Sequence, residues 1–388
     1  MTYQPQPALG APGAAGVVAR NFVTEKTGTP PAPQRKRLAT LDLMRGYYVG
    51  VLAAIHLDYV PSLLGLVDGR GALLVSEAEG FFMISGLLVG MLRRRDLERY
   101  GLRRMTLNSW KRGFQLYIVA VPLTLLFTVI GRLAVAHGHN QVKSGLDRGS
   151  SPLAVLWHAL TFQYTYGWAD FLTFYVPMFL AAPLVVWLLS KKLWPLVLAL
   201  AYVGYWLPSH YHTSFYSPFL QWGVYFFVGA TAGYHREALR GLMGRLSPGW
   251  NRTVRLLFIA AAALIYAAGI VLLFHPHLVS SDGMYFDFFE NNRLGVLRPF
   301  AAPVSVAGTY FLVRRFEEPI VRTVGKVLIP FGKNSLYVYV AQSFVVFLVP
   351  FAFGPHSFWL NTAFDLSVIA IMWLGVRTQF LAFLIPKA

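Results

Sequence analysis

Residues 79–112 read EGFFMISGLLVGMLRRRDLERYGLRRMTLNSWKR. Through Leu92 the stretch is apolar except for Glu79 and Ser85, and then eight basic residues crowd into positions 93–112. An apolar run that ends abruptly in arginines predicts a helix leaving a bilayer. The hydrocarbon excludes charge, and Lys and Arg collect on the cytoplasmic side. The same alternation runs outward in both directions. A spanning helix needs roughly 20 apolar residues, and ten stretches fit: 42–65, 76–92, 114–136, 170–189, 193–208, 218–234, 256–274, 298–313, 335–352 and 358–385. The fifth and eighth are the shortest. Residues 153–164 predict a short interfacial helix ahead of the fourth span.

Composition agrees. Hydrophobic residues make up 56% of the 388, against about 45–50% in soluble chains. Charged residues are 13%, and the mean hydropathy is +0.50. So few charges could not cover so much apolar surface in water. These values exclude a disordered regulator, a disulfide-rich secreted module and a coiled coil. The absence of cysteine excludes disulfides, thiolate metal sites and a cysteine nucleophile.

A net charge of +17 would ordinarily suggest nucleic acid. Its distribution predicts topology instead. With both termini in the cytoplasm, 26 of the 34 lysines and arginines fall on inner segments. Arg70, Arg132, Lys143, Arg148, Arg293 and Arg298 fall outside, and Arg45 and Arg377 lie within spans. The predicted fold is therefore all-α, a polytopic membrane bundle of about ten transmembrane helices with N- and C-termini cytoplasmic, in the plasma (inner) membrane. Residues 1–37 are rich in Ala, Gly, Pro and Gln, without a basic segment leading into an apolar one. They predict a flexible cytoplasmic tail ahead of a 38–388 membrane domain. The outer loop at 275–297, with Asp282, Asp287, Glu290 and several aromatics, suits carbohydrate or a membrane interface.

Ionisable groups inside spans are costly and usually face the bundle interior. Arg45 and His56 are the informative pair. Eleven residues at about 100° each return nearly to the starting direction, with a rise of roughly 16 Å. Both side chains then lie on one face, Arg45 near the cytoplasm and His56 in the outer half. A histidine there suits a general base. Asp58 lies about 200° from His56 and belongs at the interface. Glu79, about a turn into the second span, is the expected orienting partner of His56. The cluster Arg93, Arg94, Arg95, Arg103, Arg104, Lys111 and Arg112 exceeds what topology alone requires. It suits a phosphate-rich donor or anionic headgroups. There is no P-loop, dinucleotide fingerprint, HExxH or EF-hand pattern, and neither a metal nor a tightly bound cofactor is expected.

Four segments together resemble the OpgC-type family of the acyltransferase-3 superfamily. They are DLMRGYYVGVLAAIH (42–56), EGFFMISGLLVG (79–90), DFLTFYVPMFLAAPLVV (170–186) and GKNSLYVYV (332–340). The resemblance implies an integral membrane O-acyltransferase. It would carry acetyl or succinyl groups from cytoplasmic acyl-CoA, a co-substrate, to an extracytoplasmic glycan or glycolipid. It further implies His56 as catalytic base and Arg45 as a donor-site or structural arginine. Glu79, Asp170, Tyr175 and Ser85 would be supporting residues. Three positions depart from the family pattern: Ser76 in place of an acid, with Glu77 displaced by one; Thr173 in place of Pro; and Gln342 in place of a frequent His. The competing readings are a small-molecule or lipid-precursor transporter, for which paired Gly/Pro-broken helices in two related halves are missing, and a non-catalytic envelope scaffold.

Overall fold

The computed structural model describes residues 39–69, 73–139, 150–210, 217–275, 289, 295–380 and 382. The predicted tail and the acidic residues of the 275–297 loop (Asp282, Asp287 and Glu290) lie outside the described residues. Among those described, regular structure is entirely helical. The helices are α1 Ala39–Ile55, α2 Leu63–Asp68, α3 Glu77–Ala136, α4 Pro152–Leu160, α5 Asp170–Ser190, α6 Trp194–His210 and α7 Ser217–Tyr234. There follow α8 Arg236–Arg245, α9 Pro248–Phe274, α10 Arg298–Arg315, α11 Glu317–Thr323, α12 Gly325–Lys333, α13 Ser335–Ala352 and α14 Phe358–Thr378. A helix occupies each of the ten apolar stretches, and α3, α5, α9, α13 and α14 are long and apolar enough to cross a bilayer.

Several predicted boundaries are corrected. The first helix was expected to run to residue 65 but stops at Ile55. Leu57 N–H turns back to Ala54 O at 3.2 Å, and Asp58 adopts a φ of 55°. The last helix ends at Thr378 rather than 385, with Gln379 at φ 54°. The inner segment 93–112 is helical throughout except for Gly101, at φ 75° and ψ 177°, a conformation in which a Cβ would clash. The chain reverses there: Asn108 Nδ2 donates to Asp96 Oδ2 at 3.1 Å across the corner. Both arms of α3 thus project past the predicted membrane edge as a helical hairpin. The inner segment 314–333 likewise carries α11 and α12. The expected interfacial helix is α4, capped by Ser151 Oγ accepting from Ala154 N.

The most extensive packing joins α3 to α7. Two glycines four apart on each helix make the contact. A Cβ on Gly86 or Gly90 would stand 1.9 or 2.0 Å from the Phe226 or Ala230 carbonyl oxygen. Reciprocally, one on Gly229 or Gly233 would stand 2.0 Å from that of Met83 or Leu87. Lipid tails offer helices no hydrophobic drive to associate, so backbone approach of this kind supplies the attraction. Gly46 and Gly332 make the same approach between α1 and the α12–α13 segment, against Leu328 O and Asp42 O at 1.9 Å each.

Gly86→Val and Gly229→Val should each cost about 3 kcal/mol or more, at the top of the overpacking range, because the obstructing atom belongs to the backbone. Thermal unfolding in detergent checks this against Gly244→Ala, a helical site with open space around it. That control should hold or gain about 1 kcal/mol.

Candidate active site

His56 completes the last turn of α1, its N–H bonding Leu52 O at 3.2 Å. The helical geometry therefore holds from Arg45 to His56. The imidazole is half-buried. Its Nδ1 lies 3.2 Å from Gln342 Oε1 and 3.0 Å from Gln342 Nε2, and its edge faces the Phe171 ring at 6.5 Å. Gln342 is completely buried on α13. When Nδ1–H donates to Gln342 Oε1, the lone pair resides on Nε2. That atom makes no hydrogen bond among the described residues. A bare imidazole nitrogen held by its opposite edge is the arrangement a general base requires.

Arg45 donates through Nη2 to Ser335 Oγ. Arg45 thus meets the start of α13 while His56 meets its middle, so α1 and α13 run in the same direction. Ser335 belongs to the GKNSL segment, and the close approach of Gly332 explains how its hydroxyl reaches the arginine.

Aromatic rings fill the space beside His56. Phe171 stacks on Phe82 at 5.2 Å, and Phe82 on Tyr175 at 4.5 Å. Trp222 and Tyr339 stand 5.8 and 5.9 Å from Phe171. The Tyr175 hydroxyl donates to Ser85 Oγ at 3.1 Å, joining two predicted supporting residues, and the charge of Arg45 reaches it. Asp170 begins α5. Its Oδ1 accepts from Phe171 N at 2.6 Å, and its carbonyl oxygen accepts from Thr173 Oγ1 at 2.6 Å. Thr173, where a proline was expected, closes this first turn with its hydroxyl. Asp170 thereby orients the residue that lies against His56.

Glu79 has a different role from the one expected. Its carboxylate is fully buried and accepts from Arg298 Nε at 2.7 Å and Nη2 at 3.1 Å. Oε2 also accepts from Ser76 N at 2.6 Å, capping α3. The charge of Glu79 is therefore taken up by an arginine, and Gln342 rather than Glu79 partners His56. Arg298, read from the sequence as an outer loop charge, is completely buried. Its Nη1 donates to Leu73 O at 3.1 Å and Phe289 O at 2.8 Å. A lone arginine beside a proline at the mouth of an apolar stretch, facing a glutamate at the mouth of another, was the available signal.

The seven-residue basic cluster divides. Arg93 pairs with Asp96, and Arg112 Nη1 donates to Gln115 Oε1 at 3.2 Å. Burial pushes both guanidinium pKa values down, and the charges of Arg45 and Arg93 push Arg112 the same way. The charges of Arg45, Arg93 and Arg112 therefore act on one another near the N-terminal half of α1. Arg94 is used structurally: it binds Glu98 at 2.7 Å, the Tyr234 carbonyl at 2.8 Å and Glu237 at 3.4 Å. Arg103, Arg104 and Lys111 are exposed, and Arg95 is half-buried. No metal-binding cluster occurs among the described residues.

Residues 37–382 match the family described as OpgC protein. No curated protein and no solved structure matches the chain.

Removing one member of a buried ion pair strands the other, at about 3–5 kcal/mol. Arg298→Met and Glu79→Leu should each lose stability on that scale. The double variant should lose less than the sum of the two, giving a positive coupling in a double-mutant cycle of melting temperatures. Parent-like melting of either single variant would contradict the pairing.

Proposed function

The chain belongs to the OpgC family, and we propose that it is a membrane O-acyltransferase with His56 as its general base. In this reading the ten helices over the apolar stretches span the plasma membrane, with both termini cytoplasmic. The donor is a cytoplasmic acyl-CoA bearing an acetyl or succinyl group. The acceptor is a hydroxyl of an extracytoplasmic glycan or glycolipid.

The observation that carries this reading is the pairing of His56 with a neutral buried amide. Gln342 can hold Nδ1–H without adding charge, which leaves the Nε2 lone pair free to accept a proton. The convergence of Arg45, Arg93 and Arg112 supports an anionic donor at the inner end, since guanidinium groups bind phosphate oxygens in forked pairs. The acceptor hydroxyl attacks the thioester carbonyl as Nε2 takes its proton. The carbon–sulfur bond then breaks, and the thiolate leaves with a proton returned by the imidazolium. Tyr175 and Ser85 are linked to each other, and the charge of Arg45 reaches Tyr175. Glu79 holds the scaffold through Arg298 rather than steadying the imidazolium.

The purified chain in nanodiscs, supplied with acetyl- or succinyl-CoA and an oligoglucan, should release free CoA thiol and an acylated glycan. His56→Ala should lower kcat by about 10²–10⁴-fold, the range for losing a general base. Arg112→Ala should raise KM for the donor with kcat little changed. Undiminished turnover by folded His56→Ala would assign proton transfer to another group.

A further inference from the structure

A cavity of about 560 Å³ lies between α1, the start of α3, α9 and α10. None of the residues assigned above to acyl transfer lines it. Its volume falls within the range of small-molecule sites, about 300–1,000 Å³. The walls are chiefly aliphatic, among them Leu43, Ile259, Val306, Leu312 and Leu328. One wall is α9, whose apolar stretch is almost wholly on the protein surface. In a bilayer that helix faces hydrocarbon, so the cavity borders lipid. Near Ser76 and Glu77 the wall changes character. Tyr266, which also lines the cavity, donates from its hydroxyl to Val67 O at 3.3 Å. Beside it Glu77 joins the lining with 4% of its surface exposed. Its Oε2 has no hydrogen-bond partner among the described residues, while the rest of the carboxyl pairs with that of Asp68.

We propose that this cavity binds an uncharged, hydroxyl-headed membrane lipid of the diacylglycerol or neutral glycolipid class, with one hydrocarbon chain along the aliphatic walls and a head hydroxyl donating to Glu77. The aliphatic part of the lining matches a chain, and its polar groups, Glu77, Tyr266, Ser305 and Thr309 among them, suit a hydroxylated head. A buried acceptor oxygen at one end requires a donor. A hydroxyl supplies one without charge. A phosphate-bearing head would set a further anion against the buried Glu77–Asp68 pair, in a setting where like charges interact strongly. The site is therefore selective against the anionic phospholipids that the chain's basic inner segments attract.

The test uses the full chain in nanodiscs doped with lipids carrying a photoactivatable acyl chain, with crosslinked peptides mapped by mass spectrometry. A diacylglycerol probe should label residues 259–266 and 305–313 about fivefold more than phosphatidylglycerol or phosphatidylethanolamine probes, the scale of one hydrogen bond. Ala263→Phe, at the exposed lip of the cavity, should remove the labelling. Glu77→Leu should erase the preference, and Glu77→Gln, which keeps an acceptor, should retain most of it. Melting temperatures identify any variant that unfolds. Equal labelling by all probes, or labelling indifferent to Ala263→Phe, would overturn the assignment.

Discussion

An ion placed in hydrocarbon has no solvent to fall back on, so its partner must come from another helix. The Glu79–Arg298 pair is that requirement met in full: both side chains are inaccessible, and the guanidinium contacts both carboxylate oxygens. It joins the first turn of α3 to the first turn of α10. The arginine's Nη1 donates to carbonyls of Leu73 and Phe289, in the connections that lead into those two helices. The pair thus fixes the axial position of α3. Phe82 and Ser85 follow within two turns of Glu79, so the aromatic stack beside His56 and the hydroxyl that meets Tyr175 depend on where that turn is held. The glycine contacts with α7 then fix the rotation of the same helix.

Within this frame the proposed chemistry is spread along α1. Arg45 and His56 sit at opposite ends of one face, and α13, running alongside, offers each a neutral partner, Ser335 and Gln342. Using uncharged groups matters. A carboxylate beside the imidazole would favour its protonated form, whereas an amide orients the ring and leaves its proton affinity to the surroundings. The two acidic residues expected to support the site are occupied elsewhere: Glu79 with Arg298, and Asp170 with the amide of Phe171.

The helical class and the ten apolar stretches were legible because hydropathy and charge asymmetry are properties of sequence windows. The shared face of Arg45 and His56 was legible because both belong to one helix. Relations between helices were less so. Glu79 was matched to His56 by depth alone, and depth does not say which neighbour a side chain faces. Arg298 carries the same charge whether it lies in a loop or in a core, so counting charges placed it outside. Gln342 read as a departure from the family pattern, yet it occupies the position where a partner for His56 is needed. The segment 93–112 read as a loop because its charges ended the apolar run. Charges end a membrane span without ending a helix.

The corner at Gly101 has a consequence for length tolerance. Because a single residue makes the turn, the two arms of α3 have no slack between them. The offset between Arg93 on one arm and Arg112 on the other is set by counting residues to and from that glycine. Deleting one residue on the way to Arg112 would swing that side chain by about 100° around its arm. An insertion that a surface loop would absorb would here pull apart two of the three converging guanidiniums. The inner hairpin therefore works as a ruler, and its residue count is as much a part of the molecule's design as the identity of its arginines.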